Sequence, residues 1–252
     1  MLREERRGLV LKYIQENHSA TSEELSEHFC VTNETIRQDL NYLNDKKHII
    51  RTFGGAILRD EYDPPLEQRT IINYEDKQKI AKEALKYINE KDLIVMDAGS
   101  TLIEVARRIE KNSETVIITN SLEILNRLCK VPGITVIGAG GKLRSRSMSF
   151  QGRNAEKTIS SYNLQKAFIS AEAVGLNEGI MDTNEAEASV KRCMIDVARE
   201  VTLLADHSKF DNMSHITVCP LDNIDRLITD SKTDIKIIEG LREKGIEVIV
   251  VE

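Results

Sequence analysis

The sequence predicts an α/β protein in two parts, an N-terminal winged helix-turn-helix followed by a C-terminal, mostly parallel α/β sheet domain. Three observations carry this. Two short amphipathic helical patterns lie either side of a turn within residues 21–43, and an apolar-basic segment holding Gly54-Gly55 follows them. From Leu93 onward, short β-branched runs alternate with helical patterns, the signature of a parallel sheet covered by helices.

The first helix is expected over residues 3–16, with Val10, Tyr13 and Ile14 inward and Arg6, Arg7 and Lys12 outward. Thr21 and Glu24 form a T-x-x-E capping box that opens a second helix with Leu25 and Phe29 on its inner face. Cys30 and Val31 end it. Thr32 N-caps a third helix, where Ile36, Leu40 and Leu43 fall at i, i+4 and i+7 and turn Asn33, Glu34, Thr35, Arg37, Gln38 and Asn41 outward.

Such an outer face suits the DNA major groove: Arg37 can fork onto guanine and Gln38 onto adenine. A three-helix core with a merely solvated face would show the same helices. The segment IIRTFGGAIL, read as a hairpin wing, favours DNA, with Arg51 placed to meet phosphate or the minor groove. The candidate DNA contacts are Thr32, Asn33, Glu34, Thr35, Arg37, Gln38, Asn41, Lys47, Arg51 and Thr52.

Charge supports a selective reader. A net charge of -6 disfavours indiscriminate nucleic-acid binding, yet between residues 35 and 59 the bases Arg37, Lys46, Lys47, Arg51 and Arg59 outnumber Asp39 and Asp45. Cys30, Cys129, Cys193 and Cys219 are scattered without C-x-x-C pairing, which argues against a disulfide framework or a zinc site. No run approaches the ~18 apolar residues that span a bilayer, and the first residues lack the apolar stretch of a secretion signal. The expectation is a cytoplasmic protein with no membrane partner.

A chain of 252 residues can build one small and one medium core. RDEYDPP at 59–65 is charged and carries Pro64-Pro65, which should stiffen a linker and stop any helix. The expected division is 1–58 for the DNA-binding domain, 59–74 for the linker and 75–252 for the α/β domain. A helix is expected over 71–89, with Ile80, Ala84, Leu85 and Ile88 in register.

In open α/β sheets, ligands bind beyond the carboxyl ends of the strands. Four polar stretches occupy such places. Asp97-Ala98-Gly99-Ser100-Thr101 precedes a helix and offers amides and hydroxyls to a phosphate. Asn120 and Ser121 follow the next strand; Gly138, Gly140 and Gly141, with Lys142 and Arg144, follow a third; Asp206, Ser208 and Lys209 follow VTLLA. Each alone reads equally well as a helix cap or turn, but four on one sheet edge point to a binding site. His207 and His215 with Asp211 suit a solvated loop better than a metal, and neither metal nor cofactor is expected.

TIRQDLNYL followed by IIRTFGGA resembles the N-terminal signature of the DeoR family of bacterial transcriptional regulators, most of which repress sugar-metabolism operons. DAGST at 97–101, TNS at 119–121, GG at 140–141 and LLADHSKF at 203–210 resemble that family's effector domain in order, so the likeness covers nearly the whole chain. It implies operator DNA as partner, a homo-oligomer (dimer or tetramer), and a sensor domain similar to the phosphosugar isomerase and CoA-transferase-like fold. The effector implied is a small phosphorylated sugar or sugar alcohol held by Asp97, Gly99, Ser100, Thr101, Asn120, Ser121, Gly140, Gly141, Lys142, Lys191 and Lys209. Lys191 matches a lysine of the family's E-x-x-x-x-V-K-type stretch; it would meet an anion or lie on a solvated helix face. The chain departs from the family at 170–174, where Ser170-Ala171-Glu172-Ala173-Val174 replaces the common Asp-Gly pair.

An enzyme is the alternative. A phosphosugar isomerase needs a carboxylate base beside the sugar carbon and a second proton shuttle. Asp97, Glu172, Asp182 and Glu185 are available, but no tight acid constellation is legible. GAGG at 138–141 lacks the G-x-G-x-x-G spacing of a dinucleotide site.

Overall fold

The computed structural model describes residues 2–17, 19–59, 64–110, 114–210 and 212–252, and divides into two compact units, Met1–Ile72 and Asn73–Glu252. In the first unit, helix α1 (Arg3–Asn17) and strand β1 (Ser19–Thr21) lead to α2 (Ser22–Phe29) and α3 (Asn33–Asp45). A hairpin of β2 (Ile49–Arg51) and β3 (Gly55–Leu58) and a short helix α4 (Leu66–Ile71) follow. The strands form one antiparallel sheet in the order β1-β3-β2, the wing.

Local chemistry sets these boundaries. Thr21 Oγ1 accepts from the Glu24 amide at 3.1 Å while the Thr21 amide donates to Glu24 Oε2 at 2.7 Å, a complete capping box. Cys30, left-handed at φ 52°, ends α2; its amide and that of Val31 reach back to the carbonyls of Glu27 and Ser26, a Schellman closure. Val10, Ile14, Leu25, Ile36, Leu40, Leu43, Ile49 and Ala56 close the core.

Two expectations need correction here. Arg6 and Arg7 do not simply face water: both guanidinium groups turn onto the buried carboxylate of Asp39, and Arg7 also lies 3.7 Å from the Tyr42 ring centroid. The linker is not free of helix either. Pro65 is the N-cap of α4, consistent with proline being tolerated at a helix start, so the prolines precede a helix instead of preventing one. The Asp60–Asp63 part of the expected linker lies outside the described residues.

The second unit opens with α5 (Tyr74–Ala84), which continues as a 3-10 turn at Leu85–Tyr87. The single helix expected over 71–89 is therefore broken at Asn73, left-handed at φ 52°. There follow β4 (Leu93–Met96), α6 (Ser100–Arg108), β5 (Thr115–Thr119), α7 (Leu122–Leu128) and β6 (Ile134–Gly138). Next come β7 (Lys142–Arg144), β8 (Ser149–Gln151), α8 (Arg153–Ser160), β9 (Leu164–Ser170), β10 (Ala173–Gly175) and β11 (Gly179–Asp182). The unit ends with α9 (Glu185–Val197), β12 (Ala198–Leu204), β13 (Ile216–Cys219), β14 (Arg226–Asp230), α10 (Ile235–Glu243) and β15 (Glu247–Val251).

Seven strands form a parallel sheet in the order β15-β14-β12-β9-β4-β5-β6. Sequence order runs outward in both directions from the β4–β9 pair, so the topological switch point, where such sheets open a crevice, lies between these two strands. Two antiparallel additions, β7-β8 and β10-β11-β13, stand apart from that sheet.

Candidate DNA-reading and effector sites

On α3 the apolar stripe works as its spacing demands: Ile36, Leu40 and Leu43 are buried, while Asn33, Glu34, Arg37, Gln38 and Asn41 are exposed. Thr32 caps the helix through the Thr35 amide, and the two hydroxyls lie 2.9 Å apart, so these threonines hold the first turn. Gln38 Nε2 reaches Glu34 Oε1 at 3.5 Å. Arg51 is drawn against the reading helix: its amide donates to Asn44 Oδ1 at 3.2 Å and its guanidinium approaches the Arg37 carbonyl at 3.5 Å. Burial and the nearby Arg37 charge lower the Arg51 pKa from its ordinary value. Two cations held this close, with Lys47 and Thr52 nearby in sequence, form a surface to which a polyanion is the complementary partner.

At the sheet's switch point the structure brings together residues far apart in sequence. Asp97, just beyond β4, accepts on Oδ2 from the amide and hydroxyl of Ser170, the last residue of β9, at 3.1 and 2.7 Å. Lys191, on α9, sits 3.3 Å from the same oxygen and 3.0 Å from Asp182 Oδ2, and donates to the Ser170 carbonyl at 2.7 Å. The solvated-face reading of Lys191 is overturned, since only 4% of the residue is exposed. Burial would pull its pKa down, but Asp97 and Asp182 outweigh that and hold it above the ordinary lysine value. Burial likewise pushes Asp182 up, while Lys191 and the amides of Thr183 and Asn184 more than offset it, leaving it below the carboxylate range.

Around this floor lie the loops. Gly99 is the N-cap of α6 without a side-chain cap, followed by the buried hydroxyl residues Ser100 and Thr101; a Cβ on Gly99 would stand 2.2 Å from Ser170 Oγ. Asn120 is 2% exposed; its Nδ2 donates to the Phe150 carbonyl, and its Oδ1 has no partner among the described residues. Ser121 is fully buried and spent as the N-cap of α7, accepting from the Ile124 amide. Gly141 lets the chain pass Gln151, whose carbonyl would be 2.5 Å from an added Cβ, whereas Gly140 faces open space. Lys142 is exposed on β7. Lys209 reaches Glu172 at 3.4 Å.

Sequence reasoning missed several members of this edge. Asn73 donates to Asp206 Oδ1 at 2.7 Å and to Ser208 Oγ at 3.1 Å, tying the start of α5 to the loop after β12. Burial raises the Asp206 pKa, but Lys77, Lys209 and the Ser208 and Asn73 bonds together take it below the ordinary value. Ser149 donates to Glu187 at 2.9 Å. His207 lies 3.0 Å from Asp230, with Asp76 and Lys232 completing an ionic cluster. The three ligand-type groups of Asp76, His207 and Asp230 lie within 4.8 Å of one another, but Lys232 already sits 2.6 Å from Asp76, and Asp230 takes the amides of His207 and Lys232. Asp211 lies outside the described residues. No local pattern marks the pairs Asn73–Asp206, Ser149–Glu187 and His207–Asp230, because their members lie far apart along the chain.

Residues 72–231 match the family described as the DeoR C terminal sensor domain, and residues 6–61 match the DeoR-like helix-turn-helix domain. The chain belongs to the DeoR family. This DeoR-family chain is 32% identical over 98% of its length to a protein of Escherichia coli O157:H7 named as a putative aga operon transcriptional repressor, covering 93% of it. It is 35% identical to the uncharacterized HTH-type transcriptional regulator YulB of Bacillus subtilis, covering 100% of this chain and 98% of that one. Among solved structures, ribose 5-phosphate isomerase A of Methanocaldococcus jannaschii aligns over 55% of each chain at 21% identity, with a TM-score of 0.39. This DeoR-family protein is a DNA-binding transcriptional repressor with a sensor domain. No described helix is long and apolar enough to cross a membrane.

Proposed function

We propose that this regulator represses a sugar or sugar-alcohol utilisation operon and responds to a small phosphorylated sugar or polyol bound at the strand ends of the second unit. The single observation that carries this is the side-chain cluster of Asp97, Ser170, Lys191 and Asp182 at the switch point between β4 and β9, beside the start of α6, whose N-cap Gly99 offers no side-chain cap. Lys191 is committed to two carboxylates, so the phosphate charge falls to the amides of α6 and to Lys142 or Lys209. Asp97 and Asn120 Oδ1 accept from sugar hydroxyls.

We read the protein as working without turnover, because the acids that an isomerase would need at this spot, Asp97 and Asp182, are both held by Lys191. It acts as a homo-oligomer in the cytoplasm, since one winged module spans too few base pairs for tight selection and an inverted repeat needs two-fold partners. The domains are taken as 1–58 and 75–252, with the joining stretch between them; Asp63-Pro64-Pro65 transmits the ligand's preference for one arrangement to the DNA-binding unit.

The deciding experiment is thermal unfolding of the purified chain against sugar phosphates, polyol phosphates and their unphosphorylated parents. A ligand at a hundred times its Kd stabilises the native state by about 2.7 kcal/mol. A phosphorylated compound should raise Tm and its parent should not. If no phosphorylated compound in the set raises Tm, the effector reading fails.

A further inference from the structure

The wing carries one feature that neither its fold nor its charge accounts for. Phe53, at the tip between β2 and β3, is fully exposed at 112%, the most exposed of the large apolar side chains described. The tip beneath it is tied by backbone hydrogen bonds: the Thr52 amide donates to the Gly55 carbonyl at 3.1 Å and the Ser22 amide to the Gly54 carbonyl at 2.8 Å. Gly55 is required by packing, since a Cβ there would stand 2.1 Å from the Ala20 carbonyl oxygen. Gly54 is not. Among the described residues a Cβ on it meets nothing within 4 Å, and its φ is outside the left-handed region, so neither packing against them nor backbone conformation calls for a glycine there.

We propose that the wing tip enters the DNA minor groove, with Phe53 packing as an apolar wedge against base and sugar edges and Gly54 clearing the way for the backbone to approach. Arg51 and Thr52 precede Phe53 directly, and Arg51 is bonded to the reading helix, so the aromatic ring projects from the same cationic surface that presents Arg37. Positive flanks bring the duplex to the tip, and an aromatic that gains nothing from its own fold gains by leaving water against DNA. Apolar side chains in the minor groove open a base step and bend the duplex. A contact made only to phosphate would call for another cation at this position, not for phenylalanine.

The test uses the full chain and a duplex that it selects from a random pool. Phe53→Ala should weaken binding roughly ten-fold, the scale of one apolar side chain returned to water. The slope of log affinity against log salt should stay unchanged, and the bend measured by circular-permutation mobility should shrink. Arg51→Ala provides the contrast, lowering the salt slope by about 1. Gly54→Ala should leave Tm unchanged and weaken binding. Parental affinity in Phe53→Ala, an altered salt slope or an unchanged bend would each overturn the wedge. So would loss of oligomer by light scattering in Phe53→Ala, which would assign the ring to a contact between copies, or a lowered Tm in Gly54→Ala.

Discussion

Arg6 Nε lies 2.6 Å from Oδ2 of Asp39, a carboxylate with no exposed surface on the inner side of the DNA-reading helix. Arg7 takes the other oxygen at 3.1 Å, so α1 grips α3 through one buried anion. Asp39→Ala should therefore cost about 3 kcal/mol, the low end for breaking a buried pair because Arg6 is partly solvated. Denaturant unfolding of the N-terminal transition checks this; a loss under about 0.5 kcal/mol, the size of an ordinary surface change, would show that the clamp is idle.

Two glycines should respond oppositely to alanine. At Gly55 the new methyl would collide with the backbone of Ala20 and Thr21, and overpacking of this kind costs about 1 to 3 kcal/mol. At Gly140 there is open space and no left-handed φ, so Gly140→Ala should leave Tm within the error of the scan or raise it slightly.

The buried Asp97-Lys191-Asp182 cluster makes a pH prediction. Asp182 is lowered, so its contribution is present above the ordinary carboxylate value and lost as pH falls through its lower folded value. Lys191 is raised, so its contribution is present below the ordinary lysine value and lost only as pH rises through its higher folded value. Between about pH 4 and pH 10 the cluster should thus add a constant increment. Lys191→Met removes the cation and leaves two buried carboxylates, at a cost of about 3 to 5 kcal/mol near neutrality. Without Lys191 to offset its burial, the Asp182 pKa then rises, so this variant should be less stable at pH 8 than at pH 5. A variant with the same stability at both values would contradict the assignment.

On the DNA face, Arg37→Ala should cost about 1 to 3 kcal/mol of operator binding and relax preference at one base position. Arg51→Ala should weaken all sequences more evenly. Selection from a random pool reads both outcomes, and an unchanged base preference in Arg37→Ala would remove Arg37 from direct readout.

Thr101→Val and Lys209→Ala form a pair for the effector site. Neither residue lies in the N-terminal unit, so both variants should bind operator like the parent while losing most of the response to the phosphorylated ligand. Gel shifts with and without ligand decide it; if both respond like the parent, the ligand sits elsewhere.

What the sequence determined by itself is whatever depends on near neighbours. The capping box at Thr21 and Glu24, the inward stripe of Ile36, Leu40 and Leu43, and the alternation from Leu93 onward all rest on contacts within a turn or a strand, where spacing is geometry. β7, β8 and β10 are three residues each, too short for any period to register, and Asn73 breaks a helix that propensity alone would continue. Only the tertiary structure decided that Arg6 and Arg7 face Asp39 and that Lys191, within a pattern suited to a solvated helix, is buried between Asp97 and Asp182. A charge can be buried only where partners offset its desolvation. Those partners lie 94 and 9 residues away along the chain and meet Lys191 through the β4–β9 crossover and the turn into α9, which no local pattern encodes.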